Sequence, residues 1–395
     1  MTEPVQDQND VVIVGAARTP FGKLLGGLSS LPATALGAHA IKAALNDISS
    51  EEVDAVILGQ VLQAGAGQNP AKQAALAAGI PASAHTVTVN KVCLSGLTAV
   101  IDAARLLRSG EARVVIAGGM ESMSQAPHLL KNTRAGVKFG DFNAVDHMAY
   151  DGLVSAEFGI SMGEMTENYS EKWPVTREEQ DQIAARSHQG AVAARAELAR
   201  EIAPVTVKGR KGDTIVELDE GVRENVTAES LSGLRPAFKK DGTITAANAS
   251  PISDGAAALV LTTRAHAEEN NWPIMAVVRA AGQTAGPDAS LQEQPANALK
   301  AALNRQGWTV QDLDLIEINE AFATVGICST RALGADPDKV NPHGGAIALG
   351  HPIGASGARL ATHIAHQIAA GHVRKAGASL CGGGGQGEAL LFEAP

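Results

Sequence analysis

The sequence predicts an α/β fold made of two similar halves, with an additional segment inserted into the first half. Over the first third of the chain, short apolar runs alternate with helix-like stretches, a pattern typical of a largely parallel sheet covered by helices on both faces. The last third repeats the same order of motifs. Between them, residues 121–242 lose the alternation and are richer in charge. We therefore expect one sheet layer in each half and an excursion outside those layers.

Each element can be assigned from its residue pattern. In the first half we predict strands at residues 11–15, 54–59, 86–89 and 113–119 and helices at 33–45, 69–78 and 93–107. The excursion contains one clear helix at 177–200, and the alternation resumes with a strand at 256–262. The predicted units are 1–120 for the first half, 121–242 for the insertion, 243–270 for the completion of the first half and 271–395 for the second half.

The last third contains counterparts of elements of the first half. A strand at 312–318 parallels the strand at 54–59, the turn at 340–345 parallels the turn before Cys93, and a strand at 376–382 parallels 113–119. The helix that follows His351 would then match the helix that follows Cys93. Because duplicated halves are related by a pseudo-twofold axis, Cys93 and His351 can meet at one place.

Composition limits the class of protein. A chain of 395 residues can bury a large core, and a net charge of -10 argues against nucleic acid or an anionic membrane as a partner. Three cysteines are too few for a disulfide scaffold and indicate a reducing compartment. The acidic, polar start resembles neither a signal peptide nor a transit peptide, no apolar run reaches transmembrane length, and the end is not a peroxisomal tripeptide. We expect a cytoplasmic protein.

Cys93 stands between a predicted strand and a predicted buried helix. Free N–H groups and the positive dipole end of a helix favour the thiolate form of a cysteine at its first turn. A buried free cysteine is also commonly a small core residue, and this stretch alone supports both interpretations. The internal repeat favours a nucleophile with His351 as its base. A proline directly follows His351, which suits the first position of a helix.

Two further residues are candidates for the same site. Cys381 is followed by four glycines that satisfy G-x-G-x-x-G, but the next residues indicate a strand, so the dinucleotide-binding interpretation fails. These glycines suit either backbone N–H groups that approach an oxyanion or a tight hairpin turn. Asn319 can cap the following helix, orient an oxygen in the site, or do both. Cys328 is expected in the core, and no spacing of His and Cys predicts a metal site.

Six motifs, in order and over nearly the whole chain, carry a family resemblance: VNKVCLSG, GGMESMS, NASPISDGAA, NEAFA, GGAIALGHPIGASG and CGGGGQG. The sequence resembles the thiolases, particularly their acetyl-CoA acetyltransferase branch. The resemblance implies a five-layered α-β-α-β-α fold of two duplicated halves, with an inserted loop domain that binds coenzyme A and takes part in oligomerisation. This agrees with the repeat and the excursion described above.

The resemblance also implies a role for each site residue. Cys93 would be the acylated nucleophile, His351 the base that activates it, and Cys381 the acid/base that takes the α-proton of the second acyl group. Asn319 would hold a water that forms one oxyanion hole with His351, and the N–H groups of Cys93 and Gly383 would form the other. The residues implied in coenzyme A binding are Arg223, Ser230, Phe238 and Ser250, with Leu153 and Met162 along the pantetheine tunnel. Coenzyme A thioesters would be substrates, with no tightly bound cofactor.

The expected reaction is reversible Claisen condensation of two acetyl-CoA to acetoacetyl-CoA and free CoA, in a homotetramer with an assembly loop near residues 126–145. Three alternatives stay open: a degradative 3-ketoacyl-CoA thiolase, a ketosynthase-type condensing enzyme, and a non-catalytic acyl-CoA or lipid-binding protein. Ser161 stands where many acetoacetyl-forming thiolases have histidine, and residues 291–296 depart from the family's glycine-proline segment. Chain-length preference is therefore open. His343 also replaces the usual asparagine.

Overall fold

The computed structural model describes residues 7–395, so the first six residues of the predicted unit 1–120 lie outside the described residues. The predicted strands and helices of the first half are all present, with ends that shift by a few residues. The elements are β1 (Val11–Arg18), β2 (Gly22–Lys23), α1 (Ala33–Leu45), β3 (Ala55–Gly59), α2 (Pro70–Ala78), β4 (His85–Val89), α3 (Ser95–Arg108) and β5 (Val114–Ser122).

The segment after β5 is an excursion of short elements, as expected. They are β6 (His128–Leu130), β7 (Ala144–Asp146), a π-helix (Met148–Leu153), α4 (Met162–Asn168), α5 (Arg177–Ala193), α6 (Arg195–Ala199), β8 (Val205–Val207), β9 (Thr214–Val216) and α7 (Ala228–Leu231). The single helix predicted at 177–200 is wrong in one respect, because the chain breaks at Ala194 between α5 and α6. A capping box at Thr176 and Glu179 starts α5.

The chain then returns to the sheet and forms the second half. The elements are β10 (Ser253–Thr263), α8 (Arg264–Glu269), β11 (Ala276–Ala285), α9 (Gln294–Gln306), β12 (Leu315–Ile318), α10 (Ala323–Leu333), α11 (Ala346–Leu349), α12 (Ser356–Ala369), β13 (Lys375–Gly382) and β14 (Gln386–Glu393). Within residues 7–395, no helix combines the length and the apolar character needed to cross a membrane.

The strand order confirms the internal repeat. The first half has the order β1-β10-β5-β3-β4 and the second β11-β14-β13-β12, and β1 and β11 pair where the halves meet. Counted in the order just given, the first two pairs of neighbouring strands in each half are antiparallel and the third pair is parallel. A parallel bridge from Ile316 to Val340 takes the place that β4 has in the first half. Within each half all strands except one run in the same direction, in keeping with the expectation of a largely parallel sheet; the exceptions are β10 and β14, which run against both of their neighbours.

The buried apolar side chains form separate cores on the two faces of each sheet, and these cores define five layers of helices and strands. One core joins α3 and α12 to the inner faces of the strands of both halves. A second core covers the outer face of the first half with α1 and α2, and a third covers the outer face of the second half with α9 and the end of α10. The order is therefore helix, sheet, helix, sheet, helix. The two helices that follow Cys93 and His351 form the central layer.

Candidate active site

Cys93 lies in a tight turn between β4 and α3, two residues before the helix begins. The backbone of Val92 has a φ of 51°, a left-handed conformation that β-branched residues rarely adopt. The Ser95 hydroxyl accepts from the Lys91 N–H at 2.8 Å and donates to the Val92 carbonyl at 2.6 Å. Asn90 Oδ1 accepts from the Val92 N–H at 3.0 Å. The predicted helix start at Cys93 is wrong, and a strained turn presents the thiol instead.

The surroundings of Cys93 keep it protonated in the free protein. Burial, with a smaller effect from the nearby Glu121 carboxyl, raises the pKa of the Cys93 thiol to about 12. Hydrogen bonds from the N–H groups of Cys93 and Gly383 act in the opposite direction. The N–H donors at this turn thus favour the thiolate, as expected, but desolvation outweighs them and the pKa of the thiol stays raised. A base must remove the proton before the sulfur can attack.

His351 is the residue predicted to be that base. It lies between α11 and α12, five residues before α12 begins, so the prediction that Pro352 takes the first position of this helix is wrong. Its Nδ1 atom lies 2.5 Å from Ser356 Oγ, and this hydroxyl donates its proton to the Pro352 carbonyl at 2.9 Å. Nδ1 therefore carries the ring proton, and Nε2 carries the lone pair. Burial lowers the pKa of His351 to about 4, so the ring is neutral near pH 7.

Two glycines allow Cys93 and His351 to converge. Gly96 in α3 and Gly357 in α12 lie where the two central helices touch. A Cβ atom on Gly96 would lie 2.8 Å from the Ala358 nitrogen, and one on Gly357 would lie 2.4 Å from the Leu97 nitrogen. The helices therefore meet backbone to backbone at their first turns. This close approach is what the duplicated halves provide for the site.

One cavity of about 280 Å³ joins most of the predicted site residues. Its walls include Cys93, His351, Cys381, Gly383, Leu153, Met162, Phe238 and Ser250. The remaining walls are largely apolar and come from several parts of the chain, including the insertion and the loop after β12. The structure thus brings together eight residues that the sequence names from distant parts of the chain. Their individual roles remain predictions.

Cys381 and Asn319 complete the centre of the site. Cys381 lies near the end of β13, and burial raises the pKa of its thiol, with a further increase from the neighbouring Cys93. Asn319 is buried behind the cavity, and its Nδ2 atom lies 3.5 Å from both ring nitrogens of His351. The interpretation of Asn319 as a helix cap is wrong, because α10 begins at Ala323 and Phe322 precedes it. Cys328 is buried in α10, as expected for a core residue.

Arg223 and Ser230 are not among the residues that line this cavity. The Arg223 guanidinium lies 3.0 Å from Nε2 of His188 in α5, a contact that the sequence did not suggest. Burial, with a smaller effect from Arg223, lowers the pKa of His188 to about 4. Ser230 is exposed and forms a capping box with Thr227 at the start of α7. Both residues belong to the insertion, and their contact with coenzyme A remains a prediction.

Glu121 is a residue of the site region to which the sequence gave no role. Its carboxylate is fully buried and accepts from the N–H groups of Val61 at 3.0 Å, Leu62 at 3.1 Å and Gly354 at 2.9 Å. Burial raises the pKa of Glu121 to about 7. Because Gly354 follows His351 closely, this carboxylate fixes the histidine loop to the loop after β3. The signal in the sequence is an acid at the end of an apolar strand, within GGMESMS.

The segments that depart from the family pattern also lie near the cavity. Ser161 lines it and accepts from the Glu164 N–H at 3.1 Å as the cap of α4, and Leu291 also lines it. His343 does not line it, and its Nδ1 atom instead lies 3.0 Å from Nε2 of the buried His363. In the part of the chain that the structure describes, no group of three or more His, Cys, Asp and Glu side chains is placed to hold a metal ion.

Comparison with known proteins assigns the family. Residues 11–265 match the thiolase N-terminal domain and residues 272–394 match the thiolase C-terminal domain. The chain belongs to the thiolase family. It is 55% identical to a protein of Mycolicibacterium smegmatis named probable acetyl-CoA acetyltransferase, over 96% of this chain and 100% of that protein. It is 48% identical to an acetyl-CoA acetyltransferase of Cupriavidus necator, over 97% of this chain and 99% of that protein.

A solved thiolase structure agrees with the fold described above. The crystal structure of the Bacillus anthracis acetyl-CoA acetyltransferase superposes with a TM-score of 0.94 at 38% sequence identity, covering 98% of this chain and 99% of that chain. The thiolase fold predicted from the motifs is therefore confirmed. The chain is an acyltransferase of this family, and the boundaries predicted for its units stay a prediction.

Proposed function

We propose that this thiolase catalyses the reversible Claisen condensation of two acetyl-CoA to acetoacetyl-CoA and free CoA, through an acetyl group on Cys93. The observation that carries the proposal is the shared cavity of Cys93, His351 and Cys381, whose lining also includes Gly383. A condensing enzyme of this kind needs a nucleophile, two proton-transfer groups and donors for a developing oxyanion. The cavity contains all of these.

In the first half-reaction the Cys93 sulfur forms a bond to the acetyl carbon of acetyl-CoA and the bond from that carbon to the CoA sulfur breaks. His351 Nε2 takes the thiol proton and returns it to the leaving CoA sulfur, which keeps the proton count balanced. The thioester oxygen carries negative charge in between. The N–H groups of Cys93 and Gly383 lie beside the sulfur and would stabilise this charge.

In the second half-reaction Cys381 first passes its thiol proton to His351 and then takes a proton from the methyl group of a second acetyl-CoA, and the resulting carbon attacks acetyl-Cys93. The bond between the acetyl carbon and the Cys93 sulfur breaks, and the sulfur recovers a proton by way of His351. The α-proton of a thioester is weakly acidic, so the enolate oxygen needs its own donors. Asn319, next to His351, would hold the water that serves with His351 as this second oxyanion hole.

Coenzyme A would enter through the insertion. Leu153, Met162, Phe238 and Ser250 line the cavity and suit the pantetheine arm, while Arg223 and Ser230 would meet the nucleotide end outside it. We propose no tightly bound cofactor, a cytoplasmic location and a homotetramer. Phe139 is fully exposed and Phe142 is largely exposed in the loop between β6 and β7, which supports an assembly role for residues 126–145.

Two measurements test the proposal. Mass spectrometry after mixing with acetyl-CoA should find an acetyl group on Cys93 in the wild type and none in Cys93→Ser, whereas Cys381→Ala should still acetylate but not condense. Steady-state thiolysis should be faster with acetoacetyl-CoA than with a medium-chain 3-ketoacyl-CoA. The opposite order would favour the degradative 3-ketoacyl-CoA thiolase. A wild type that binds acetyl-CoA but never acetylates Cys93 would favour the non-catalytic alternative.

A further inference from the structure

A buried carboxylate connects the two loops that carry the cysteines of the site. Glu388 lies on β14 and is fully buried. Its Oε1 atom lies 3.0 Å from Nζ of Lys91 and accepts from Nε2 of Gln283 at 2.6 Å, and its Oε2 atom accepts from the Thr98 hydroxyl at 2.5 Å. A charge removed from water is tolerated only when it is paired and hydrogen-bonded in this way. Three donors from three different elements therefore satisfy one carboxylate.

These partners stand next to the catalytic groups. Lys91 immediately precedes Val92 and Cys93, and Thr98 belongs to the first turn of α3. Glu388 pairs with Leu380 on β13, so it sits at the base of the hairpin that carries Cys381 and Gly383. The carboxylate thus links the nucleophile turn to the glycine hairpin.

Both of the linked segments need an external restraint. The nucleophile turn contains Val92 in a left-handed conformation, which is unfavourable for a β-branched residue. The hairpin tip contains Gly384 and Gly385, both with positive φ, and glycine has wide conformational freedom. The Val92 methyl groups face the tip, 3.5 Å from where a Cβ on Gly383 would lie. A small shift of either segment would change the distance between the Cys93 and Gly383 N–H groups.

Building on the proposed function, we propose that Glu388 is a positioning residue which, through Lys91 and Thr98, holds the N–H groups of Cys93 and Gly383 at the spacing that binds the thioester oxygen. Oxyanion donors act only within about 2.7–3.1 Å of the developing charge. The carboxylate touches no reacting atom, so it acts on the rate through these two backbone groups. Its loss should lower the rate of the chemical steps more than it weakens substrate binding.

The first test replaces Glu388 and a matched residue on the same strand. In Glu388→Gln the side chain keeps its shape and its bond from Thr98, but it has no charge to pair with Lys91. We expect kcat for thiolysis of acetoacetyl-CoA, and the rate of Cys93 acetylation by acetyl-CoA, to fall about 10- to 100-fold while the KM for CoA stays within about twofold. Glu393→Gln is the control, because Glu393 also lies on β14 and pairs with Arg279 at 2.8 Å at the far end of the strand.

The second test concerns Lys91, whose side chain is 26% exposed and can be replaced without opening the core. Lys91→Met should lower kcat by about tenfold or more, and Lys91→Arg, which keeps a cation within reach of Glu388, should recover most of the rate. Circular dichroism checks that each variant is folded. If Glu388→Gln does not fold, the comparison of Lys91→Met with Lys91→Arg tests the proposal instead.

Unchanged kcat in folded Glu388→Gln or in Lys91→Met would overturn the positioning role. Equal losses of kcat in Lys91→Met and Lys91→Arg would also overturn it. So would a loss of kcat in Glu393→Gln as large as the loss in Glu388→Gln. An active wild type alongside any of these results refutes the positioning role alone. A wild type that never acetylates Cys93 refutes the proposed function and this inference together.

Discussion

The Oγ atom of Ser356 lies 2.5 Å from Nδ1 of His351 and determines which ring nitrogen can act as a base. Ser356 is the first residue of α12, and its hydroxyl proton is already donated to the Pro352 carbonyl. The hydroxyl can therefore only accept from Nδ1. This leaves Nε2 as the atom that would receive the Cys93 proton in the proposed reaction.

Replacing Ser356 should slow the reaction without abolishing it. In Ser356→Ala the ring of His351 loses its fixed orientation and its preferred tautomer, so we expect kcat for thiolysis of acetoacetyl-CoA to fall about 10- to 100-fold with little change in KM. Thr330→Ala is the control, because its hydroxyl donates to the carbonyl four residues earlier in α10 at 2.7 Å and touches no site residue. A kcat for Ser356→Ala equal to that of Thr330→Ala would show that the bond has no catalytic effect.

The close contact of the two central helices predicts a stability effect. In Gly357→Ala the new Cβ would lie 2.4 Å from the Leu97 nitrogen, so α3 and α12 must separate, and we expect a loss of about 1–3 kcal/mol in the free energy of unfolding. In Gly326→Ala, inside α10, the nearest atom would be 3.9 Å away, so the change should be neutral or stabilise by up to about 1 kcal/mol. Urea unfolding of both variants measures the difference, and equal midpoints would refute the packing argument.

The raised pKa of Cys93 predicts an unusual pH dependence of alkylation. Only the thiolate reacts with iodoacetamide, and a thiol with a pKa of about 12 is almost fully protonated at pH 8. In a Cys381→Ala background, the alkylation rate of the free protein should therefore rise about tenfold per pH unit between pH 6 and 9.5 without a plateau. Free cysteine, with a pKa of about 8.5, levels off within this range and is the reference.

A plateau of the Cys93 rate between pH 6 and 8 would contradict this account. It would mean that the proton already resides on His351 and that a thiolate–imidazolium pair dominates the resting protein. Burial favours the neutral form of both groups. It raises the pKa of the Cys93 thiol and lowers the pKa of His351 to about 4, so the neutral pair is expected to dominate in the free protein.

The sequence predicted the architecture and the residues of the site better than their local geometry. Apolar periodicity and the repeated motifs were enough to predict the two similar halves. Periodicity depends only on neighbouring residues, and the repeat depends only on the order of motifs along the chain. The reversed strand of the first half was not predicted because β10 is contributed from beyond the insertion, and no local pattern shows where it joins the sheet. The position of Cys93 in a turn, rather than a helix, depends on the side chain of Ser95, which bonds both Lys91 and Val92.

Buried charges were the largest omission. Glu121, Glu388 and Arg18 look like ordinary charged residues in the sequence, and each is fully buried with partners far away in the chain. Pairing of this kind follows from the tertiary fold, so composition and periodicity cannot reveal it. The shifted pKa of Cys93 has the same origin, because burial and not helix position determines it.

Arg18 provides the strongest test of how the insertion is attached. It stands at the end of β1, and its guanidinium meets Glu201 at 2.6 Å and both oxygens of Asp219 at 2.7 and 2.9 Å. Both acids belong to the insertion. Arg18→Met should cost about 3–5 kcal/mol of unfolding free energy, because two carboxylates stay buried without this partner.

Arg195→Met is the matched control for Arg18→Met. Arg195 pairs with Glu224 at 2.6 Å, but both side chains are about half exposed, and such a pair contributes about 0–1 kcal/mol. Urea unfolding measures both costs, and limited proteolysis shows whether cleavage in the Arg18 variant concentrates between β5 and β10. The two sites differ mainly in how exposed their ion pairs are. Similar urea midpoints for the two variants would therefore show that the buried pairs of Arg18 do not hold the insertion against β1.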